Sequence, residues 1–182
     1  MSTLCRHQAQ DNHTEIGRGS NGRVYILDST RCIKITPTPY NHNVMQLLDR
    51  LDHDEVRFLR YHNTRIDSSA TTYRHEMKRA TKLDTTELTT SQYRYLKESM
   101  YLLHRNGLAH GDLIDNVMLA GELPVIIDWD TAVLKSENEE RFETVKRVDV
   151  GAFFSSSHFK CKQRGEYKSQ ALGPERKNTR RT

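Results

Sequence analysis

Cysteine is scarce and scattered: Cys5, Cys32 and Cys161 are the three in 182 residues, and no two stand at a C-x-x-C spacing. That excludes a disulfide framework and a zinc site built on paired thiolates, so a reducing compartment is expected. No apolar run approaches the roughly 20 residues that a membrane span needs. The first residues, Met1-Ser2-Thr3-Leu4-Cys5-Arg6-His7, lack the apolar stretch of a cleaved signal peptide. A soluble chain with no membrane partner is therefore expected. Hydrophobic residues make up 35% of the chain, enough for a modest core in one domain or two small lobes.

Acidic residues are nearly missing from the C-terminal end. Ser155 to Thr182 holds eight Lys or Arg against Glu166 and Glu175, a net +6, while the whole chain carries only +4. The body is thus slightly acidic and the tail basic. Charged segments poor in apolar residues do not fold alone, so a disordered tail over 155–182 is expected. Nucleic acid is expected as a partner, if at all, only through this tail.

What is present is organised. Residues 1–13 are polar and read as a flexible N-terminus. Glu15-Ile16 and Arg23–Leu27 read as two strands around a Gly19-Ser20-Asn21-Gly22 turn, and Arg31–Ile35 as a third strand stopped by Pro37 and Pro39. Val44, Leu48, Leu51, Glu55 and Phe58 recur at helical spacing and predict one helix from Asn43 to Tyr61. Residues 71–77 read as a strand and Thr85–Ser91 as a linker. A second helix is predicted from about Ser91 to Asn106, with Tyr93, Leu96, Met100 and Leu103 inward and Gly107 just past its end. Val117–Leu119 and Val125–Ile127 then form a hairpin across Ala120–Pro124.

Three groups of residues suggest chemistry. Gly17-Arg18-Gly19-Ser20-Asn21-Gly22-Arg23-Val24 is a glycine loop inside a hairpin, where bare backbone N–H groups can approach phosphate oxygens. A dinucleotide fingerprint would instead open a helix. Lys34, flanked by Ile33 and Ile35, can set a cation on those phosphates if a carboxylate holds it. Glu55, on an otherwise apolar stripe, is the first candidate and Asp52 the second. His110-Gly111-Asp112-Leu113-Ile114-Asp115-Asn116 and Ile126-Ile127-Asp128-Trp129-Asp130 supply the oxygen groups. Asp112 can take the proton of an attacking hydroxyl, and Asn116 and Asp128 offer the oxygen ligands that Mg²⁺ prefers.

In this order the segments resemble the protein kinase-like superfamily, across about residues 14–154. The resemblance implies an α+β, bilobal fold. Its lobes would be a small β-rich N-lobe at 14–77 and a truncated helical C-lobe at 78–154. It implies ATP and Mg²⁺ as cofactors, with catalytic roles for Asp112, Lys34 and Glu55 and metal ligands at Asn116 and Asp128. ATP contacts would come from Ile16, Gly17, Arg18, Gly19, Ser20, Asn21, Gly22, Val24 and Lys34. Glu76 and Met77 would lie near the adenine hinge. His110 and Asp149 would be structural, Asp149 bracing the catalytic loop.

Departures accompany the resemblance. Asp112 and Asn116 stand four apart rather than five, so either the loop is tightened or Asp115 shares the metal role. Gly111 replaces the usual Arg, so control by a phosphorylated activation loop is not expected. Trp129 and Asp130 stand where the family has Phe and Gly. Little chain follows Asp149. That economy resembles short pathogen kinases, bacterial effector or viral, that act on host proteins in host cytoplasm or nucleus. The expectation is a monomeric Ser/Thr protein kinase with a protein substrate. The alternatives are an aminoglycoside- or choline-type small-molecule kinase, a compact kinase of the tRNA threonylcarbamoylation type, and a pseudokinase binding module.

Overall fold

The structure, a computed structural model, describes residues 14–52, 57–67, 72–155 and 159–160. They form an α+β fold with three α-helices and antiparallel sheets. The chain opens with β1 (Glu15–Gly19) and β2 (Gly22–Ile26), whose register pairs Gly19 with Gly22 around the Ser20-Asn21 turn. Asp28 then shapes the next turn, its Oδ1 accepting from the backbone N–H groups of Thr30 and Arg31 at 2.8 Å each. That turn leads into β3 (Arg31–Thr36). Cys32, Lys34 and Thr36 alternate onto one face of β3, and all three are buried.

Helix α1 (His42–Leu51) starts at Asn41, whose side chain accepts from the Asn43 N–H at 3.0 Å. Val44 and Leu48 on its apolar stripe are fully buried. The predicted continuation to Tyr61 does not form. Asp52 is the C-cap, and its carboxylate takes the Arg57 N–H at 3.0 Å and the Arg60 guanidinium at 2.6 Å. Phe58 bridges Ile126 in parallel instead, with Leu59 N–H donating to the Ile126 carbonyl at 2.9 Å. Phe58 is buried as its place in the stripe suggested, but by tertiary strand pairing rather than by a helix. Tyr61 begins β4 (Tyr61–Asp67), followed by β5 (Thr72–Lys78). The five-stranded sheet has the order β1-β2-β3-β5-β4.

The predicted linker carries structure: β6 (Thr81–Lys82) precedes it, and a 3-10 turn occupies Thr85–Glu87. Helix α2 (Thr90–Arg105) begins with a capping box between Thr89 and Gln92 and stops before Gly107, which sits at φ 76°. Short strand β7 (Leu108–Ala109) follows. Next come β8 (Val117–Ala120) and β9 (Leu123–Ile126), which close on a two-residue turn because Leu123 and Pro124 pair with Ala120 and Leu119. β10 (Val133–Leu134) pairs with β7, and α3 (Glu139–Ser155) completes the order.

One core cluster joins these parts, with Leu48, Phe58, Leu96, Met100, Ile126, Trp129 and Phe153 in it. Three residues of the segment read as a basic tail are described. Ser155 still belongs to α3, Phe159 stacks on Phe153 at 5.1 Å, and Lys160 exchanges backbone hydrogen bonds with Thr85 and Leu88. Residues 161–182 lie outside the described ones. Among the described residues no helix is long and apolar enough to cross a membrane.

Candidate active site

The 110–116 loop is held from below by one buried carboxylate. Asp149 of α3 is fully buried, and its oxygens accept from the backbone N–H groups of His110 (2.8 Å) and Gly111 (2.7 Å). His104 Nε2 lies 3.0 Å from the same carboxylate. The buried His110 ring then links two strands of the site. Its Nε2 is 2.8 Å from the Ile127 carbonyl and its Nδ1 is 3.2 Å from the Asp112 N–H. Those partners define a neutral ring that donates from Nε2 and accepts at Nδ1. Burial accordingly lowers the His110 pKa.

Gly111 has a steric reason to be glycine. It sits at φ 88°, and a Cβ there would stand 3.0 Å from Val145 Cγ1 and 3.3 Å from the Thr131 carbonyl. An arginine at this position has neither the backbone conformation nor the space.

The one-residue shortening between Asp112 and Asn116 is absorbed by a tight turn. Asp115 takes φ 66°, and Asn116 N–H reaches the Leu113 carbonyl at 3.3 Å. The Asn116 amide nitrogen turns back onto Asp112, donating to its carbonyl (2.8 Å) and its Oδ2 (3.0 Å). An amide that donates to Asp112 through Nδ2 presents its Oδ1 on the other side. Asp115 is exposed and does not line the cleft that Asn116 lines. The loop is thus tightened at this point.

Asp128 follows β9 and sits at φ 61°, a left-handed conformation that is uncommon for a residue with a side chain. Trp129 anchors the bend: it is buried, and its indole N–H donates to the Leu59 carbonyl at 2.8 Å. With Trp129 turned inward, Asp128 and Asp130 on either side both reach Lys34. The Lys34 ammonium is 2.6 Å from Asp128 Oδ1 and 3.3 Å from Asp130 Oδ2. Its side chain is 7% exposed, so these carboxylates offset most of its lost hydration.

The glycine hairpin covers this group. A cavity of about 280 Å³ is lined by Gly17–Gly22, Val24, Lys34, Asp112, Asn116, Asp128, Asp130 and Thr131. The sequence placed its two walls far apart; β3 and the strained Asp128 bend bring them together. The glycines differ in what they tolerate. A Cβ on Gly22 would lie 2.4 Å from the Ile35 carbonyl oxygen, whereas one on Gly19 would meet nothing within 4 Å. Gly22 is therefore required by sheet packing, and the bareness of Gly19 keeps backbone open toward the cleft.

Other expected residues fall elsewhere. Asp52 is committed to Arg60 and the Arg57 N–H, so the second candidate for the Lys34 partner is corrected. Glu55, the first candidate, lies outside the described residues. Glu76 and Met77 are within β5, paired with Ile33 and Cys32; they line a separate cavity of about 700 Å³ with Arg31 and Arg79. Ile16 is 46% exposed on β1.

The sequence reading missed three contributors. Asp130 is a second carboxylate on Lys34, a role that its D-x-D spacing to Asp128 could have suggested. The Tyr40 ring lies 5.6 Å from the Lys34 ammonium and stacks on Tyr61 at 3.8 Å. Thr131 ties the two loops, donating to the His110 carbonyl at 2.8 Å. Nothing local in the sequence marks these last two.

Among the described residues no three His, Cys, Asp or Glu side chains cluster as an all-protein metal cage. Mg²⁺ in phosphate chemistry is ordinarily held by one or two carboxylates together with substrate oxygens, and the Asn116 and Asp128 donors suit that mode. By sequence, the chain matches no protein-family model and no curated protein.

Proposed function

We propose that this protein is an ATP- and Mg²⁺-dependent Ser/Thr protein kinase. The N-lobe would be 14–77 and the C-lobe 78–154 of a kinase-like bilobal fold. The observation that carries the proposal is convergence: glycine hairpin, buried lysine, Asp112, Asn116 and Asp128 line one small cleft. A phosphate chain needs bare backbone N–H groups and a fixed cation, and a reacting hydroxyl needs a carboxylate within reach.

Roles follow from chemistry. The Gly17–Gly22 backbone and Lys34 would bind the phosphates. Asn116 and Asp128 would hold Mg²⁺, which supplies charge neutralisation on the phosphate oxygens when bound. Asp112 would orient the acceptor hydroxyl and take its proton. The acceptor oxygen bonds to the γ-phosphorus, the bond from that phosphorus to the bridging oxygen breaks, and ADP leaves with the electron pair. Asp149, through the His110 and Gly111 amides, would keep Asp112 in place.

A protein acceptor is favoured over a small alcohol because Asp112 is exposed at the cleft. Incubating the full chain with γ-labelled ATP, Mg²⁺ and a cell lysate tests the reading. Label on protein Ser or Thr supports it. Nucleotide binding without transfer would favour the pseudokinase module, and label only on small metabolites the small-molecule kinase.

A further inference from the structure

The sheet face opposite the cleft carries an unusual row of charge. Directly paired residues on neighbouring strands point to the same side of a sheet. The registers run Arg18↔Arg23, Arg23↔Ile35, Ile35↔Arg74 and Arg74↔Arg65. Four arginines therefore lie in one line across all five strands, broken only by Ile35 at the centre. With strands about 4.8 Å apart, the row spans roughly 19 Å. Lys34 pairs with Val24 and His75, the alternate positions, so Arg23, Ile35, Arg74 and Arg65 lie on the face away from Lys34, while Arg18 at the hairpin end also borders the candidate active site.

Arg18 stands opposite Arg23 and Arg74 opposite Arg65; the same face also carries Glu15, paired with Tyr25, and Glu76, paired with Ile33. Glu15 offsets Arg18 in part, at 2.9 Å, but Arg18 remains 61% exposed. Beside the row lies a second cavity of about 560 Å³, to which Arg18, Arg23, Tyr25, Ile35 and Thr72 contribute; it shares the Arg18–Gly22 hairpin tip with the candidate active site. It combines guanidinium groups, hydroxyls and an apolar floor.

We infer that this outer sheet face binds single-stranded nucleic acid, with the arginine row on successive phosphates and Ile35 and Tyr25 beneath the bases. Guanidinium forks match phosphate oxygens in pairs, and a phosphodiester chain presents such groups in series. The Ile35–Tyr25 surface gives unpaired bases a place to lie, which an acidic peptide does not need. This site is distinct from the basic tail, and it does not depend on the kinase reading.

The test uses the full chain and a fluorescein-labelled oligouridylate of about 20 nucleotides, followed by anisotropy across a salt series. The wild type is expected to bind, with affinity falling as salt rises. The double variant Arg23→Gln/Arg65→Gln is expected to bind roughly tenfold more weakly, with a salt slope shallower by about 1.4. Its melting temperature without ligand should stay near that of the wild type, since both side chains are exposed. Arg23→Lys/Arg65→Lys keeps the charge and should keep the slope, a comparison that holds even if the Gln pair folds poorly. Asp128→Ala should bind the oligonucleotide like the wild type. No binding, or equal affinity and slope in the Gln variant, overturns the inference. Equal displacement by polyglutamate of matched charge also overturns it, in favour of an acidic protein partner.

Discussion

The Lys34 ammonium stands 2.6 Å from Asp128 Oδ1, joining residues 94 positions apart in the chain. This contact closes the candidate site, because it ties the middle of β3 to the bend after β9. It also sets a demand on any ligand: a phosphate or cation entering the cleft must share or replace it. Replacing Lys34 with Met should leave Asp128 and Asp130 repelling each other beside an apolar chain. Phosphate transfer is expected to fall at least about 100-fold. Equilibrium nucleotide binding and a melting curve, measured on the same variant, separate lost chemistry from lost fold.

Asp149→Ala should be among the most damaging single changes outside the cleft. It strands the His110 and Gly111 N–H groups and removes the partner of His104, all buried or nearly so. A loss of about 3 kcal/mol is expected, readable by urea unfolding. Asp149→Asn retains one acceptor oxygen and should recover part of that loss.

The glycines of the hairpin should separate by role. Gly22→Ala drives a Cβ to 2.4 Å from the Ile35 carbonyl and should cost about 2 kcal/mol in unfolding experiments. Gly19→Ala meets nothing within 4 Å and should leave stability nearly unchanged. If Gly19→Ala nonetheless weakens nucleotide binding, the hairpin lies over the phosphates.

Two buried histidines give the protein a defined acid response. His75 is fully buried and close to Lys34, and desolvation lowers its pKa to about 4; His110 is lowered by burial as well. Both are depressed relative to the unfolded value of about 6.5, so the unfolded chain takes up protons that the folded one refuses. Their contribution is present in full above about pH 6.5 and is lost as pH falls toward 4. Melting temperature should drop across that window. His75→Gln, which can still reach Thr36, should flatten the drop.

Much of the site was legible because its chemistry is local. The glycine run, His110-Gly111-Asp112 and Asp128 each announce themselves within a few residues. Helix α2 and the 117–126 hairpin were legible through periodicity and turn residues. The long first helix was not. Phe58 keeps the helical spacing, yet its backbone finds Ile126, and Asp52 caps the helix a turn and a half earlier. Tertiary pairing outweighs a weak repeat of that kind. Tyr40 and the arginine row were hidden for a different reason: Tyr40 meets Lys34 only through tertiary packing, and the row depends on strand register, which no single segment encodes.

Loss of Asp128 probes the central claim most directly. Asp128→Ala removes the carboxylate that holds Lys34 and would hold Mg²⁺, while Trp129 continues to anchor the bend. Transfer of label from γ-labelled ATP to protein, including the chain itself, should be abolished in a variant that still melts cooperatively. Undiminished labelling would contradict the assignment of this cleft as a phosphotransfer site.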